Sequence, residues 1–464
     1  MANKMQCVQH PKLVVIGAGS LFFGRQAIWQ MVHSPYLNTG TLALVDTDEE
    51  RVGKMARLAE MVIAHTGVSL ALEASTDRKD VLNGADFVVL SFADRSVHFR
   101  GMDCQIAEKY GVRMCSGDTI GPGGIFRAMR EFPVILECAR DVEALCPDAW
   151  VINYINPAAT NGIGLCRHAP QIRSFALCDS LHMPHVKRRY ATRAGIVADE
   201  ADHTDEIAAR FDMRMAGVNH FTWMLKAEYE GQDMMPAIAE SIRRDAVTET
   251  DGGDKGAKAK FNSAIGYTLH EIYGYVPVCV AHTKEYMHFW QGLGVTPEPI
   301  PPLSIWETEP RYERHAAMWQ QVDDFVSGAV PIADYMTTFG PDHATDIIET
   351  MVGGLGKQFY VNTFNDGAVA NMADDAFLEL LCHIDMDGPR PRPVGEMPRG
   401  LRGLQEQVLD AHELTAEAVA TCDRGLLRRA MLTDPLLSSI ADADAIVREL
   451  LEAERDALPA CWFE

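Results

Sequence analysis

The most constraining stretch of this chain is its first apolar run, together with the glycine turn directly behind it. Residues 13–16 read "LVVI", a short β-branched segment, and Gly17-Ala18-Gly19-Ser20 come next. A helix-compatible segment ("FGRQAIWQMVH") leads to a second run, "TLALVD", that ends on Asp46. Strand, glycine turn, helix and a second strand with a terminal acid form the opening half of a dinucleotide-binding unit. Gly17 and Gly19 permit a tight turn, and with Ser20 they open a helix whose N–H groups can meet a pyrophosphate. Phe22 stands where a third glycine is usual, and Asp46 lies 27 residues after Gly19. A glycine pair alone is as often only a turn, but the strand before it and the acid after it favour nucleotide binding. An acid at this point selects NAD, because it repels a 2′-phosphate.

The alternation continues. A helix is expected over 48–65, then strands at "DFVVLSF" (86–92), "WVINYINP" and "SFALCD", with helical patterns between them. Repeated β-α-β units imply an α/β fold, a Rossmann-type doubly wound parallel sheet over roughly residues 10–185. Past residue 200 the rhythm changes: "RMAGVNHFTWMLKAEYEGQ" reads as two antiparallel strands around a turn. "DGGDKGAKAK" (251–260) reads as a mobile surface loop, "PEPIPPLSIWE" as an irregular stretch with a short helix beyond, and the last hundred residues as helical. The expected division is an NAD-binding Rossmann domain over 1–200 and an α+β domain for substrate, metal and oligomerisation over 201–464.

Composition sets outer limits. At 464 residues and 47% hydrophobic content, the chain can bury more than one core. Forty-two Lys and Arg against 65 Asp and Glu give −23, which disfavours a nucleic-acid surface. Eleven cysteines without a CxxC pair point to reduced thiols rather than a disulfide frame, hence to the cytoplasm. The N-terminus lacks a signal-type apolar region, and no window of 18 apolar residues is present to span a membrane.

Four groups of residues could carry chemistry. In "GDTIGPGGIFRAMRE" (117–131), Gly123-Gly124 precede a helix whose N-terminus could hold an anion or the nicotinamide side of a cofactor, or merely cap the helix. Asn153 and Asn156 in "VINYINPAATN" sit where doubly wound sheets bind ligands, although Asn before Pro is also a common turn former. Cys178 and His220 are candidate metal ligands. On spacing alone a buried thiol and a core imidazole are the simpler reading, but half a coordination shell would leave positions open for substrate oxygens. Asp179 and Tyr286 are candidate proton carriers, with Tyr286 equally at home as a packing residue in "AHTKEYMHFW".

Together these stretches resemble glycoside hydrolase family 4, the NAD- and divalent-metal-dependent glycosidases, and the related NAD-dependent sulfoquinovosidases. The resemblance runs through "VIGAGSLFF", "VDTDEERV", "GDTIGPGGIFRAMR", "CPDAWVINYINPAA", "LCDS", "AGVNHF", "EYMHFW" and "VNTFNDGAVANMADDA". It implies a Rossmann domain joined to an α+β domain, as in lactate and malate dehydrogenases, with NAD and Mn²⁺ or another divalent metal as cofactors. It assigns the metal to Cys178 and His220, and the substrate to Asn156 and to Asn219 beside His220. Asn153 joins Gly17, Gly19, Ser20 and Asp46 on the cofactor. The base matches Tyr286. Asp179, following the metal cysteine, resembles the general acid of the 6-phospho-α-glucosidases. Ser180-Leu181 stand where those members carry Met-Pro, and Arg95 (with Arg100 near it) is the residue available for an anionic sugar. "DTIGPGGI" and "AGVNHF" look more like the α-galactosidase and α-glucuronidase branches.

The chemistry so implied is a redox–elimination–addition sequence with retention, a known exception to paired-carboxylate hydrolysis. C3 of an α-hexoside glycone is transiently oxidised, the C2 proton is removed by Tyr286, and the aglycone leaves with help from Asp179. Water then adds and C3 is reduced again. The glycone could be neutral or carry a uronate, sulfoquinovose or 6-phosphate group, and a homodimer or homotetramer is the expected assembly. Two other classes share part of the inventory. A 2-hydroxy-acid dehydrogenase needs a His-Asp pair and a carboxylate-clamping Arg. A non-catalytic NAD sensor needs Gly17, Gly19 and Asp46 but not Cys178, Asp179, His220 and Tyr286 together.

Overall fold

The computed structural model describes residues 7–21, 23–248, 253–291 and 303–464, with the side chains of Asp179 and 253–255 left outside the description. Phe22 and parts of both expected loops (249–252 and 292–302) lie outside the described residues.

Thirteen described strands form one sheet. They are β1 (Lys12–Ile16), β2 (Thr41–Val45), β3 (Ala71–Ser75), β4 (Phe87–Leu90), β5 (Trp150–Asn153), β6 (Arg173–Ala176), β7 (Phe211–Gly217), β8 (Trp223–Tyr229), β9 (Gln232–Asp233), β10 (Val276–Pro277), β11 (Gln358–Phe364), β12 (Phe377–Asp385) and β13 (Gly388–Pro391). The first six are parallel, in the order β3-β2-β1-β4-β5-β6. In β4 and β5 every residue is buried, on both faces, as a strand covered by helices on each side requires. The order reverses between β1 and β4, so a crevice opens at their C-terminal ends, where such sheets bind ligands.

The sheet does not stop at β6. Its outer neighbour is β11, antiparallel, with Asn362 paired to Ala176. Beyond β11 come β12, β7, β8 and β10, all antiparallel. The parallel half and the α+β half therefore share one sheet, and the helix Arg399–Thr421 packs back onto the helices Gly121–Leu145 and Ala158–His168. A smaller apolar cluster built on Leu181, Tyr190, Phe211, Met213, Met224 and Ile238 lies apart from the main core.

Four expectations are corrected. Residues 253–260 are not a loop but the start of the helix Gly253–Tyr273, which packs along Met235–Val247. The Ala and Lys residues of this stretch are good helix formers, and they outweigh Gly256 once a neighbouring helix is available. The last hundred residues are not all helical, since β12 and β13 occupy much of 377–391 before the helices begin. The helix after the irregular stretch is long, Glu309–Ser327. Finally, the cysteines are not all thiols: Cys422 and Cys461 are disulfide-bonded, closing a span of 39 residues, while nine others are free. One such link ties the end of a helix to the C-terminal turn and does not amount to a frame.

Candidate active site

The glycine turn leaves β1 at the crevice. Gly17 has φ +89°, and a Cβ there would stand 2.6 Å from the Phe92 backbone nitrogen, just past β4. Only glycine fits this turn. Gly19 donates its amide to Asp46 Oδ2 at 2.8 Å, and a Cβ on Gly19 would meet the same oxygen at 2.6 Å. Asp46 stands one residue beyond β2, at the mouth of the cradle, with Ser20 in the turn. The bare backbone and the carboxylate at its rim fit a dinucleotide.

Across the crevice, β5 delivers Asn153 and Asn156. The Asn153 side chain is fully buried and turned onto Ile155, accepting from its amide and donating to its carbonyl at 3.1 Å each. Asn156 Nδ2 donates to Asp118 Oδ2 at 3.2 Å. Arg127 Nη1 donates to the same oxygen at 3.2 Å, and Arg100 Nη2 pairs with Asp118 Oδ1 at 3.2 Å. Burial alone would raise the Asp118 pKa, but Arg100 and Arg127, aided by His282 and the Ser116 hydroxyl, hold it well below the usual carboxylate range. Arg100 is fixed by Ser116 and lies over the Trp306 ring at 4.7 Å. Arg95 is apart from this group, largely exposed, paired with Asp94 at 3.3 Å and lying over Phe99.

β6 ends at Ala176, and Cys178 stands beyond it in extended conformation as the cap of a short turn, Asp179–Leu181. The β7–β8 connection brings His220 opposite it. His220 has φ +64°, a left-handed backbone that a non-glycine residue occupies at a cost of order 1 kcal/mol or more, the kind of strain found at functional sites. Cys178 Sγ lies 3.3 Å from His220 Nδ1 and 2.9 Å from Ser180 Oγ. Cys279 Sγ stands 3.6 Å from His220 Nδ1, yet among the described residues no three His, Cys, Asp or Glu side chains form a group that could hold a metal ion. A soft sulfur ligand beside an imidazole, with coordination positions left for oxygen, suits a divalent cation in a catalytic rather than a structural role.

Residues 279–286 clasp both clusters. His282 stacks on His220 with centroids 3.9 Å apart, and Thr283 Oγ1 donates to the His220 carbonyl at 3.0 Å. Glu285, fully buried, accepts from the amides of Gly117 at 2.7 Å and Ser116 at 3.1 Å. Burial pushes the Glu285 carboxyl up to about 7, against those amide bonds. The Tyr286 hydroxyl donates to the Asn219 carbonyl at 3.0 Å and its ring stacks on Phe221. Burial raises the Tyr286 pKa well above the ordinary value. Asn219 Nδ2 donates to the buried Glu379 at 3.4 Å, while its Oδ1 has no partner among the described residues.

Asp118, Arg127, Cys279, His282 and Glu285 were not among the expected site residues. Asp118 and Arg127 lie in "GDTIGPGGIFRAMRE", where the glycines carried the argument, and Cys279, His282 and Glu285 surround Tyr286 in "VCVAHTKEY". Arg127 and Cys279 are polar among apolar neighbours, but Asp118 lies between Gly117 and Thr119, and His282 and Glu285 belong to the polar run His282–Glu285, so no shared sequence signal marks the group.

Comparison with known proteins agrees with the geometry. The family 4 glycosyl hydrolase model matches residues 12–190, and the model of the family's C-terminal domain matches 215–437. An α-galactosidase of Bacillus subtilis is 28% identical, over 97% of this chain and 99% of its own. An α-galacturonidase of the same organism is also 28% identical, over 95% and 97%. A 6-phospho-α-glucosidase from gut microorganisms, solved in complex with NAD and Mn²⁺, superposes with a TM-score of 0.79 at 20% identity, covering 97% of this chain and 99% of its own. No helix among the described residues is long and apolar enough to cross a membrane. The chain belongs to the family 4 glycosyl hydrolases, and it is a glycoside hydrolase.

Proposed function

We propose that the chain is a retaining α-glycosidase working by redox-assisted elimination and addition, on an α-hexoside with a neutral or an anionic C6 group. The observation that carries this reading is the Cys178–His220 pair standing beside the Asn156–Asp118 group at the C-terminal end of a dinucleotide-type sheet. NAD and a divalent metal such as Mn²⁺ supply, when bound, reversible oxidation at C3 and stabilisation of charge on the carbonyl oxygen.

The chain's own residues do the rest. Gly17, Gly19 and Ser20 offer bare backbone to the pyrophosphate and Asp46 meets the ribose, with Asn153 shaping the strand end beneath. Cys178 and His220 hold the cation, and Asn156 and Asn219 orient the sugar. Asp179, directly after Cys178, donates a proton to the departing oxygen. Tyr286 takes the C2 proton. Burial keeps its phenol protonated at rest, so this role requires positive charge brought beside it on binding. Arg95 is assigned to an anionic C6 substituent, with Arg100, held on Asp118, as the second arginine available. The proposed division is a Rossmann domain over 1–200, which carries Arg95, Asn156, Cys178 and Asp179 besides the cofactor residues, and an α+β domain over 201–464, which brings Asn219, His220 and Tyr286 to them. Nine free thiols suit a cytoplasmic enzyme, and a homodimer or homotetramer is the proposed assembly.

A panel of nitrophenyl α- and β-glycosides (neutral, uronate, 6-phosphate and sulfoquinovoside), assayed with NAD and Mn²⁺, tests this. Release of free sugar from one α-glycoside without net NADH is expected. NADH accumulating with each turnover refutes it.

A further inference from the structure

A cavity of about 250 Å³ opens away from the active site, with Lys187, Asp212, Arg214, Tyr360 and Arg392 in its lining. Its charge is unusual for a chain carrying −23 overall. Three cations face it, Lys187, Arg214 and Arg392, against one carboxylate, Asp212. That carboxylate is already satisfied, by Arg214 at 2.9 Å and by Lys226 at 2.8 Å from outside the cavity. Among the described residues the exposed Arg392 donates to the neutral Gln358 oxygen alone, at 3.0 Å. The Lys187 ammonium makes no hydrogen bond or ion pair among the described residues, and burial lowers its pKa in spite of Asp212 nearby. At the floor, Tyr360 is 1% exposed; its hydroxyl oxygen takes the Met215 backbone amide, and its proton has no acceptor among the described residues.

A half-buried lysine without an ion pair, an exposed arginine held only by a neutral oxygen, and a buried hydroxyl whose proton lacks an acceptor surround one hollow, and an oxyanion would engage all three. A buried donor without an acceptor is unfavourable, and a half-buried cation without a counter-charge adds to that. The remaining wall is apolar (Met183, Phe211, Met213 and Leu381), which suits a small organic body attached to the anion.

We propose that this cavity is a second ligand site, binding a small phosphate-bearing metabolite through Lys187, Arg392 and the Tyr360 hydroxyl. Its location gives it a consequence. Met183 lies just past the turn that starts at Cys178, and β7 runs from the cavity wall at Phe211 to the loop bearing His220. A ligand held there touches both chain segments that carry the candidate metal residues, so it is placed to alter their spacing.

The test is calorimetric titration of the NAD- and Mn²⁺-loaded enzyme with inorganic phosphate at constant ionic strength. Saturable binding is expected, weakened about tenfold or more in Lys187→Gln and in Arg392→Gln and about threefold in Tyr360→Phe. Tyr360→Phe removes one oxygen from a packed ring, so it keeps the test open if either charge variant misfolds. Absence of saturable binding overturns the site, as does binding that none of these substitutions weakens, which would locate the phosphate in the active site instead.

Discussion

Cys178 Sγ stands 3.3 Å from His220 Nδ1 across 42 residues of chain. If the pair holds the cation, Cys178→Ala and His220→Ala should each abolish turnover and lower Mn²⁺ affinity by about two orders of magnitude or more, as loss of one of few ligands does. NAD binding should survive, because the Gly17–Asp46 unit lies elsewhere on the sheet. Metal titration and NAD fluorescence quenching measure the two separately. Full activity in both variants after chelation would remove the metal from the proposal.

Asp179 and Tyr286 should separate by substrate. A nitrophenolate leaves without much protonation, so Asp179→Asn should lose about 10²–10⁴-fold on alkyl glycosides and far less on nitrophenyl ones. Tyr286→Phe should slow both alike and suppress deuterium exchange from solvent into C2. Equal losses for Asp179→Asn on the two substrates would refute its role as the acid. Undiminished exchange would move the base away from Tyr286.

Glu285 sets a pH dependence of stability. Its folded-state pKa, near 7, exceeds the ordinary 4.5, so folding favours the protonated form. The stabilisation is full below about pH 4.5 and is lost as pH rises through about 7. The difference corresponds to about 3 kcal/mol, at roughly 1.4 kcal/mol per pH unit. Glu285→Gln keeps an oxygen for the Gly117 and Ser116 amides, and it should gain stability relative to wild type between about pH 5 and 8. Parallel stability curves for the two proteins, from urea melts at each pH, would disprove this.

Arg130 should matter for folding and not for chemistry. Its guanidinium is 4% exposed and bridges two carboxylates that are 0% exposed, Asp103 and Glu454, tying the C-terminal helix to the parallel half. Burial and the adjacent Asp103 push the Glu454 carboxyl up to about 9, so Arg130→Met would leave the Asp103 charge in the interior without its cation, at a cost of about 3–5 kcal/mol. Denaturant unfolding should show the loss while kcat at room temperature stays within about twofold. A stability change under about 1 kcal/mol would contradict the burial argument.

What the sequence determined by itself is whatever short range decides. "LVVIGAGS" and "TLALVD" could form little other than strand, turn and strand, because β-branched runs bounded by glycines and an acid leave few alternatives. The antiparallel pair around "AGVNHF" was legible for the same reason. Where local signals were balanced, packing decided: residues 253–260 became helix against Met235–Val247, and 377–391 became strands because β11 and β7 offered edges to pair with. The placement of site residues belongs wholly to the tertiary structure. Glu285 reaches the Gly117 amide over 168 residues, and Asn156 reaches Asp118 over 38. No periodicity encodes such contacts. They arise from the order in which strands enter the sheet, which brings chain segments distant in sequence to the same edge, and a buried carboxylate or guanidinium is then held only where a partner meets it.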